Sequence, residues 1–217
     1  PMPRLLMLAV VAVLLSESKV NLALAIYISF ICYLRPGEAD SLKPCHLVSS
    51  LASPNMLLST FRFWGLLLHP VELGIASKVG LYDETVLLDS DPWLEPFLAM
   101  LKKQPANQQL FNLAAGELKL EFRRICTTLG LQPTELYQLR HGGASDDLLS
   151  KKRAALDVKQ RGRWRSDASL TRYGKATRVL CELNKAPASA ISLGQWMESN
   201  LPIAFNHRLS IPSVLLP

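Results

Sequence analysis

"VNLALAIYISFICYLRPGEADSL", residues 20–42, is apolar almost without interruption to Leu34 and then turns abruptly into Arg35, Pro36, Gly37 and Glu38. Apolar residues fall on every side at helical spacing, which predicts a central helix packed on several faces over 20–34. The helix is expected to stop at Arg35–Glu38, where Pro36 and Gly37 disfavour simple continuation. An arginine at the end of such a run is costly if nothing meets it. Two uses are open at this point: an ion pair with Glu38, or an oxygen clamp for an anion.

Upstream, "LLMLAVVAVLL" at 5–15 is only eleven residues long before the polar "SESK". That is too short to cross a bilayer, and no cleavage site of small residues follows, so it reads as a buried helix and not as a membrane span or leader. The chain starts at Pro1 and is expected to be a piece of something longer, with an N-terminal domain missing. Downstream, 57–90 changes character: "LLSTFRFWGLLLH" and "ASKVGLYDETVLLD" are β-rich runs broken by Pro70, Gly74 and Gly80, with Lys78, Val79 and Gly80 placed like a turn between strands. Helical signals return at Asp91–Pro92, a cap followed by a first-turn proline. A helix over 114–129 should be closed by Gly130. Thr134 is expected to cap "ELYQLRH", with Gly142 and Gly143 at its end or at a tight packing point. Further helices are expected near 152–161, 167–180 and 192–200. The fold class is mainly α with a small antiparallel β-sheet (α+β).

A hydrophobic content of 49% supplies a buried core for a globular fold. The formal charge of +6 is unevenly spread: residues 151–178 carry ten basic side chains against Asp157 and Asp167, which leaves the remainder of the chain net acidic. Such a band suits a polyanion, nucleic acid first, although a solvated helix face has the same composition. The four cysteines are far apart, with neither a CxxC pair nor histidines at zinc spacing, so free thiols and no metal site are expected.

Within that band lies "RGRWRSDASLTRYGK", residues 161–175, with a single tyrosine, Tyr173. Neighbouring cations favour a phenolate and would hold a phosphate beside it; the alternative is a ring packed on arginine stems. Cleaving a phosphodiester without a metal needs cations on the non-bridging oxygens, an acid for the leaving 5′ oxygen and an aligned nucleophile. Arginine suits the first role because its planar fork grips two oxygens at once. Arg35 and Arg140, each at the end of an apolar run, are the candidates.

These stretches together resemble the tyrosine recombinases, the phage-integrase type of site-specific DNA recombinase. "YLRPGEADSLKPCHL" is similar to their first arginine box, with Arg35 and, three residues later, Glu38. "LYQLRHGGAS" is similar to the second, usually H-x-x-R-H, and gives Arg140 and His141, with Tyr137 where histidine is usual. "GRWRSDASLTRY" is similar to the last box: Trp164 stands at the position held by His or Trp, 24 residues after Arg140, and Tyr173 follows nine residues on. The resemblance covers about residues 5–180. It implies a catalytic domain over 1–184 and a C-terminal tail over 185–217 whose helix could be exchanged between neighbours or fold back on its own domain.

The resemblance also implies the roles. Tyr173 is the nucleophile forming a 3′-phosphotyrosyl bond in site-specific recombination or integration. Arg35 and Arg140 hold the phosphate with Trp164 and Tyr137; Lys78, in the hairpin turn, protonates the leaving oxygen; Glu38 and His141 are supports. Lys151, Lys152, Arg153, Lys159, Arg161, Arg163, Arg165, Arg172 and Lys175 are expected on the DNA backbone. No metal or other cofactor is implied. Partners are double-stranded DNA and further copies of the chain, as a tetramer on DNA, without a membrane. Localisation follows the DNA: nucleus in a eukaryote, cytoplasm in a bacterium. Two alternatives share the resemblance: a catalytically weakened DNA-binding remnant, suggested by Tyr137, and a type IB topoisomerase-like activity.

Overall fold

The computed structural model describes residues 1–51, 62–77, 80–132, 134–206 and 211–216. The chain divides into two compact units, 1–39 with 113–217, and 40–112. The boundaries thus fall at 39/40 and 112/113, and residues 185–206 belong to the same unit as the N-terminus.

The first unit is helical. Helices α1 (Arg4–Ser16) and α2 (Val20–Ile31) are buried along almost their whole length, as apolar residues on all faces require. Helix α3 (Pro36–Ser41) starts at Pro36, whose missing N–H costs nothing at a helix N-terminus. Helix α2 ends at a residue in the left-handed region, Tyr33, with φ +49°. Leu34 N–H donates to Ser29 O at 3.0 Å and Tyr33 N–H to Phe30 O at 3.3 Å, the paired closing bonds of a Schellman motif. The same motif closes α5 (Glu117–Thr128) at Gly130, the predicted stop, where φ is +65°.

The next helix, α6, covers Tyr137–Leu149. The expected Thr134 cap is not used: Leu136 precedes the first turn and no side chain caps it. Gly142 and Gly143 lie inside α6 and mark its packing face. A methyl group at Gly142 would sit 2.1 Å from Met2 O, and one at Gly143 would sit 2.0 Å from Phe30 O, so only hydrogen lets α6 approach this closely. Helix α7 (Ala155–Arg161) follows, and then a 3₁₀ segment, Asp167–Arg172.

The helix expected over 167–180 is therefore broken. Tyr173 ends the 3₁₀ segment, with its N–H on Leu170 O at 2.9 Å, and α8 (Ala176–Lys185) starts beyond Gly174. The physical reason is local: Ser166 Oγ accepts from Ala168 N–H and holds a tight turn, and glycine weakens helical continuation. The last helix, α9 (Ala188–Phe205), runs beyond its expected limits at both ends and packs along α1 of the same chain. A methyl group at Gly194 would meet Leu5 O at 2.1 Å.

The second unit holds the small antiparallel sheet. Strands β1 (Leu47–Val48), β2 (Trp64–Leu68) and β3 (Glu84–Leu88) lie in the order β1-β2-β3, with Leu66 opposite Val86. Trp64, Leu66, Leu68, Val86 and Leu88 alternate into one buried face. Among the described residues the strands take up 64–68 of the first β-rich run and 84–88 of the second, and residues 57–61 of the first run lie outside the described residues. At the turn expected around Lys78–Gly80, Gly80 N–H donates to Ser77 O at 2.8 Å and Ser77 N–H to Leu81 O at 2.8 Å. Lys78 falls in the connection 69–83 and lies outside the described residues. Helix α4 (Glu95–Lys102) follows the Asp91–Pro92 signal, but Asp91 makes no capping bond. Lys102 donates to Pro44 O and Leu47 O, tying α4 to the start of the sheet. The four cysteines form no disulfide, and among the described residues no helix is long and apolar enough to cross a membrane.

Candidate active site

Four stretches of the first unit converge: the end of α2 with the start of α3, helix α6, the end of α7, and Tyr173. Arg140, on the second turn of α6, is 1% exposed. A buried guanidinium needs acceptors on its N–H groups. It finds them at two helix ends. Nη1 donates to Tyr33 O at the end of α2, and Nη2 to Gly162 O at the end of α7. Both carbonyls sit at C-termini, where the helix dipole favours a cation by about 0.3–1 kcal/mol, up to about 2 when partly buried. Nε has no hydrogen-bond partner among the described residues.

Helix α7 ends like α2. Arg163 has φ +53°, Arg163 N–H donates to Gln160 O at 2.9 Å and Trp164 N–H to Lys159 O at 3.1 Å. That turn sends the two neighbouring side chains to different tasks. The Arg163 side chain is 4% exposed and meets Glu38 at 2.5 Å. Trp164 lies under the Arg140 guanidinium, 5.1 Å from its ring centroid, a cation–π contact.

Glu38 is the shared acceptor. Its carboxylate takes the Arg35 backbone N–H at 2.7 Å, the Arg35 guanidinium at 2.5 Å and Arg163 Nη2 at 2.5 Å. Of the two uses open for Arg35, the structure shows the ion pair with Glu38, which holds Arg35 beside a second arginine. Burial, and then the positive charges of Arg163 and Arg35, push the pKa of Arg140 below its ordinary value, with Glu38 and Tyr137 acting against them.

Aromatic rings form the other wall. Tyr173 stacks on Trp164 with centroids 4.6 Å apart, and His141 lies against its ring at 5.2 Å. Tyr137 meets His141 edge-on at 4.6 Å, and Trp164 stacks in turn on Tyr33 at 6.3 Å. Tyr173 is 6% exposed and belongs to a cluster with Tyr33, Ala144 and Val158, whereas Tyr137 is exposed at the first turn of α6.

No family model, curated protein or solved structure matches the chain. The chemistry available follows from the residues themselves: a cluster of arginines, buried at Arg140, beside a phenol and an indole.

Of the residues singled out from sequence, Arg35, Glu38, Tyr137, Arg140, His141, Trp164 and Tyr173 come together in this unit. Lys78 lies outside the described residues, as does the side chain of Arg172. The basic band divides. Lys151, Lys152, Arg165 and Lys175 are exposed. Arg153 and Lys159 are half-buried in ion pairs with Asp147 at 2.9 Å and Asp167 at 2.5 Å. Arg161 and Arg163 depart from the expected backbone-binding face because their side chains are used inside. Arg161 Nε donates to Ile31 O at 2.8 Å, another carbonyl at the end of α2, and Arg163 joins Glu38. Sequence reasoning missed Tyr33 and Asp147, and gave Arg163 to the surface. Tyr33 carried no signal within an apolar run, whereas an Arg directly before the Trp of the last box could have been tested as a partner for Glu38.

Proposed function

We propose that this chain is the catalytic domain of a tyrosine-recombinase-type DNA strand transferase, acting in site-specific recombination or integration. The observation that carries the reading is the convergence of Arg35, Arg140 and Arg163 around Glu38, with Trp164 joining the Arg140 guanidinium to the ring of Tyr173. Arg35, Arg140 and Tyr173, to which the resemblance assigns phosphate binding and attack, are far apart in sequence, and their nearness in the first unit supports the reading.

In this mechanism the scissile phosphate sits against Arg35 and Arg140, with Trp164 and the exposed Tyr137 contributing to its oxygens. Tyr137 can donate a hydrogen bond but cannot act as a cationic imidazole. Tyr173, its phenolic proton released to water, attacks phosphorus through the phenolate oxygen, the bond from phosphorus to the 5′ oxygen breaks, and the 5′ oxygen leaves as a hydroxyl after taking a proton, the role assigned to Lys78. The products are a 3′-phosphotyrosyl bond and a free 5′ hydroxyl. Attack by a 5′ hydroxyl reverses the step and rejoins a strand, returning the phenolic oxygen to Tyr173, and neither metal nor nucleotide is consumed. Lys151, Lys152, Arg165 and Lys175 neutralise backbone phosphates around the site, and the working assembly is a tetramer on two duplexes.

The burial of Tyr173 favours a second reading, a fold that binds DNA without cutting it. A nicked suicide duplex library separates the two. Incubated without divalent metal, the chain is expected to give a denaturant-resistant protein–DNA band that Tyr173→Phe abolishes. Binding without such a band, also when an N-terminal DNA-binding domain is supplied, would favour the binding-only fold.

A further inference from the structure

Tyr33 holds more of the arginine pocket than any residue so far given a role. It ends α2 in the left-handed region, a conformation costly for a residue with a side chain and kept only where the surroundings over-determine it. The surroundings here do so on every side. The hydroxyl donates to Asp147 Oδ2 on α6, and Asp147 is fixed in turn by Arg153 Nε at 2.9 Å. The ring is fully buried, stacks on Trp164 with an interplanar angle of 16°, and has the Arg161 guanidinium 5.6 Å from its centroid. It also passes so close to α6 that a methyl group at Gly143 would lie 2.8 Å from Tyr33 Cδ1.

The consequence falls on the carbonyl. The left-handed turn leaves Tyr33 O outside the α2 hydrogen-bond ladder, and there it accepts from Arg140 Nη1 and, at 3.4 Å, from Arg163 Nη2. We infer that Tyr33 is a positioning residue whose side chain, anchored by Asp147 and Trp164, locks the α2 terminus so that its carbonyl orients Arg140 and Arg163 toward a phosphate. The inference rests on the strand-transferase reading above. It differs from a purely structural role in what it predicts: the pocket loses its aim while the protein keeps its fold and its exterior grip on DNA.

The test uses Tyr33→Phe, Asp147→Asn and Tyr33→Gly in the full chain. Phe keeps the ring and removes the anchor. Gly accepts the left-handed backbone but empties a fully buried site, so Asp147→Asn, which leaves Tyr33 and its backbone in place, is the variant that guards against an outcome in which the protein merely folds poorly. Three quantities are read: inorganic phosphate affinity from the phosphate-dependent rise in melting temperature, duplex affinity, and the single-turnover rate of covalent capture at saturating suicide DNA. Losing a hydrogen bond to a charged group corresponds to about tenfold, so phosphate affinity and capture rate are expected to fall roughly tenfold in Tyr33→Phe and Asp147→Asn. Duplex affinity, set by exposed lysines and arginines, is expected to stay within about twofold. A structural role alone would lower the melting temperature and move duplex affinity and capture rate together, or neither.

If the wild type captures DNA and binds phosphate while all three variants match it, this inference is overturned and the strand-transferase reading stands. If the wild type binds phosphate without capturing DNA, the catalytic reading fails, and the positioning of the arginines is still decided by the variants' phosphate affinities. A wild type that does neither removes the anion site and both readings with it.

Discussion

Glu38 accepts from the backbone and guanidinium of Arg35 and from Arg163, and its side chain is only 3% exposed. Charged groups this well covered are costly to strand: removing one partner of a buried pair costs about 3–5 kcal/mol, whereas exposed pairs contribute about 0–1. Glu38→Gln is therefore expected to lower unfolding free energy by about 3–5 kcal/mol in urea titration. A loss below about 1 kcal/mol would class the contact with surface pairs. At this scale the sequence singled out Arg35, Arg140, Trp164 and Tyr173, and the structure brings them into one part of the first unit. Which arginine faces inward was not legible. Arg161, Arg163 and Arg165 alternate in one short run, yet the first two are buried and the third is exposed, a choice made by the turn at Arg163.

Among the elements, α2 and α6 approach through Gly142 and Gly143, and α1 and α9 through Gly194. The neighbours at these points are backbone carbonyls, which cannot rotate away as a side chain can. Gly143→Ala would push a methyl group against Phe30 O and the Tyr33 ring, so helix α6 must shift. Overpacking of this kind costs typically 1–3 kcal/mol, and with backbone on the far side the upper end, about 3 kcal/mol, is expected from chemical denaturation. A displacement of α6 moves Arg140 as well, so phosphate affinity should fall along with stability. The sequence located this glycine pair but left open whether it ended the helix or packed it; the answer depended on α2 being opposite. Likewise the tight turn at Ser166 and Gly174 broke the helix expected over 167–180, placing Tyr173 at a corner where its ring reaches both Trp164 and His141.

At the scale of the molecule, the cluster of Arg35, Glu38, Arg140, Arg163, Trp164 and Tyr173 lies wholly in the first unit, while the expected hairpin lysine belongs to the second. Lys151, Lys152, Arg165 and Lys175 are exposed, unlike the interior arginines, and under the proposed strand-transferase function they are the residues that would meet backbone phosphates. Duplex affinity should fall linearly with the logarithm of salt concentration, with a slope of about −0.9 for each phosphate neutralised. Replacing Lys151, Lys152 and Lys175 with glutamine together is expected to flatten that slope by roughly 2–3, in a filter-binding or anisotropy series, without changing phosphate binding in the pocket. A slope equal to that of the wild type would remove these lysines from the DNA face.

The sequence by itself determined the helical class with its small sheet, because apolar runs such as 5–15 and 20–34 have only burial open to them and the β-rich runs over 57–69 and 76–89, broken by Pro70, Gly74 and Gly80, suit short strands. It also determined the stop at Gly130, whose conformation few other residues adopt at low cost, and the spacing of the arginine, tryptophan and tyrosine candidates. Only the tertiary structure decided how the charges are held. Arg140 reaches a carbonyl 107 residues away at Tyr33, and Arg161 one 130 residues away at Ile31. A guanidinium can be buried only where acceptors converge, and acceptors supplied by backbone carbonyls at helix ends leave no trace in residue identity; they exist once α2, α6 and α7 have packed.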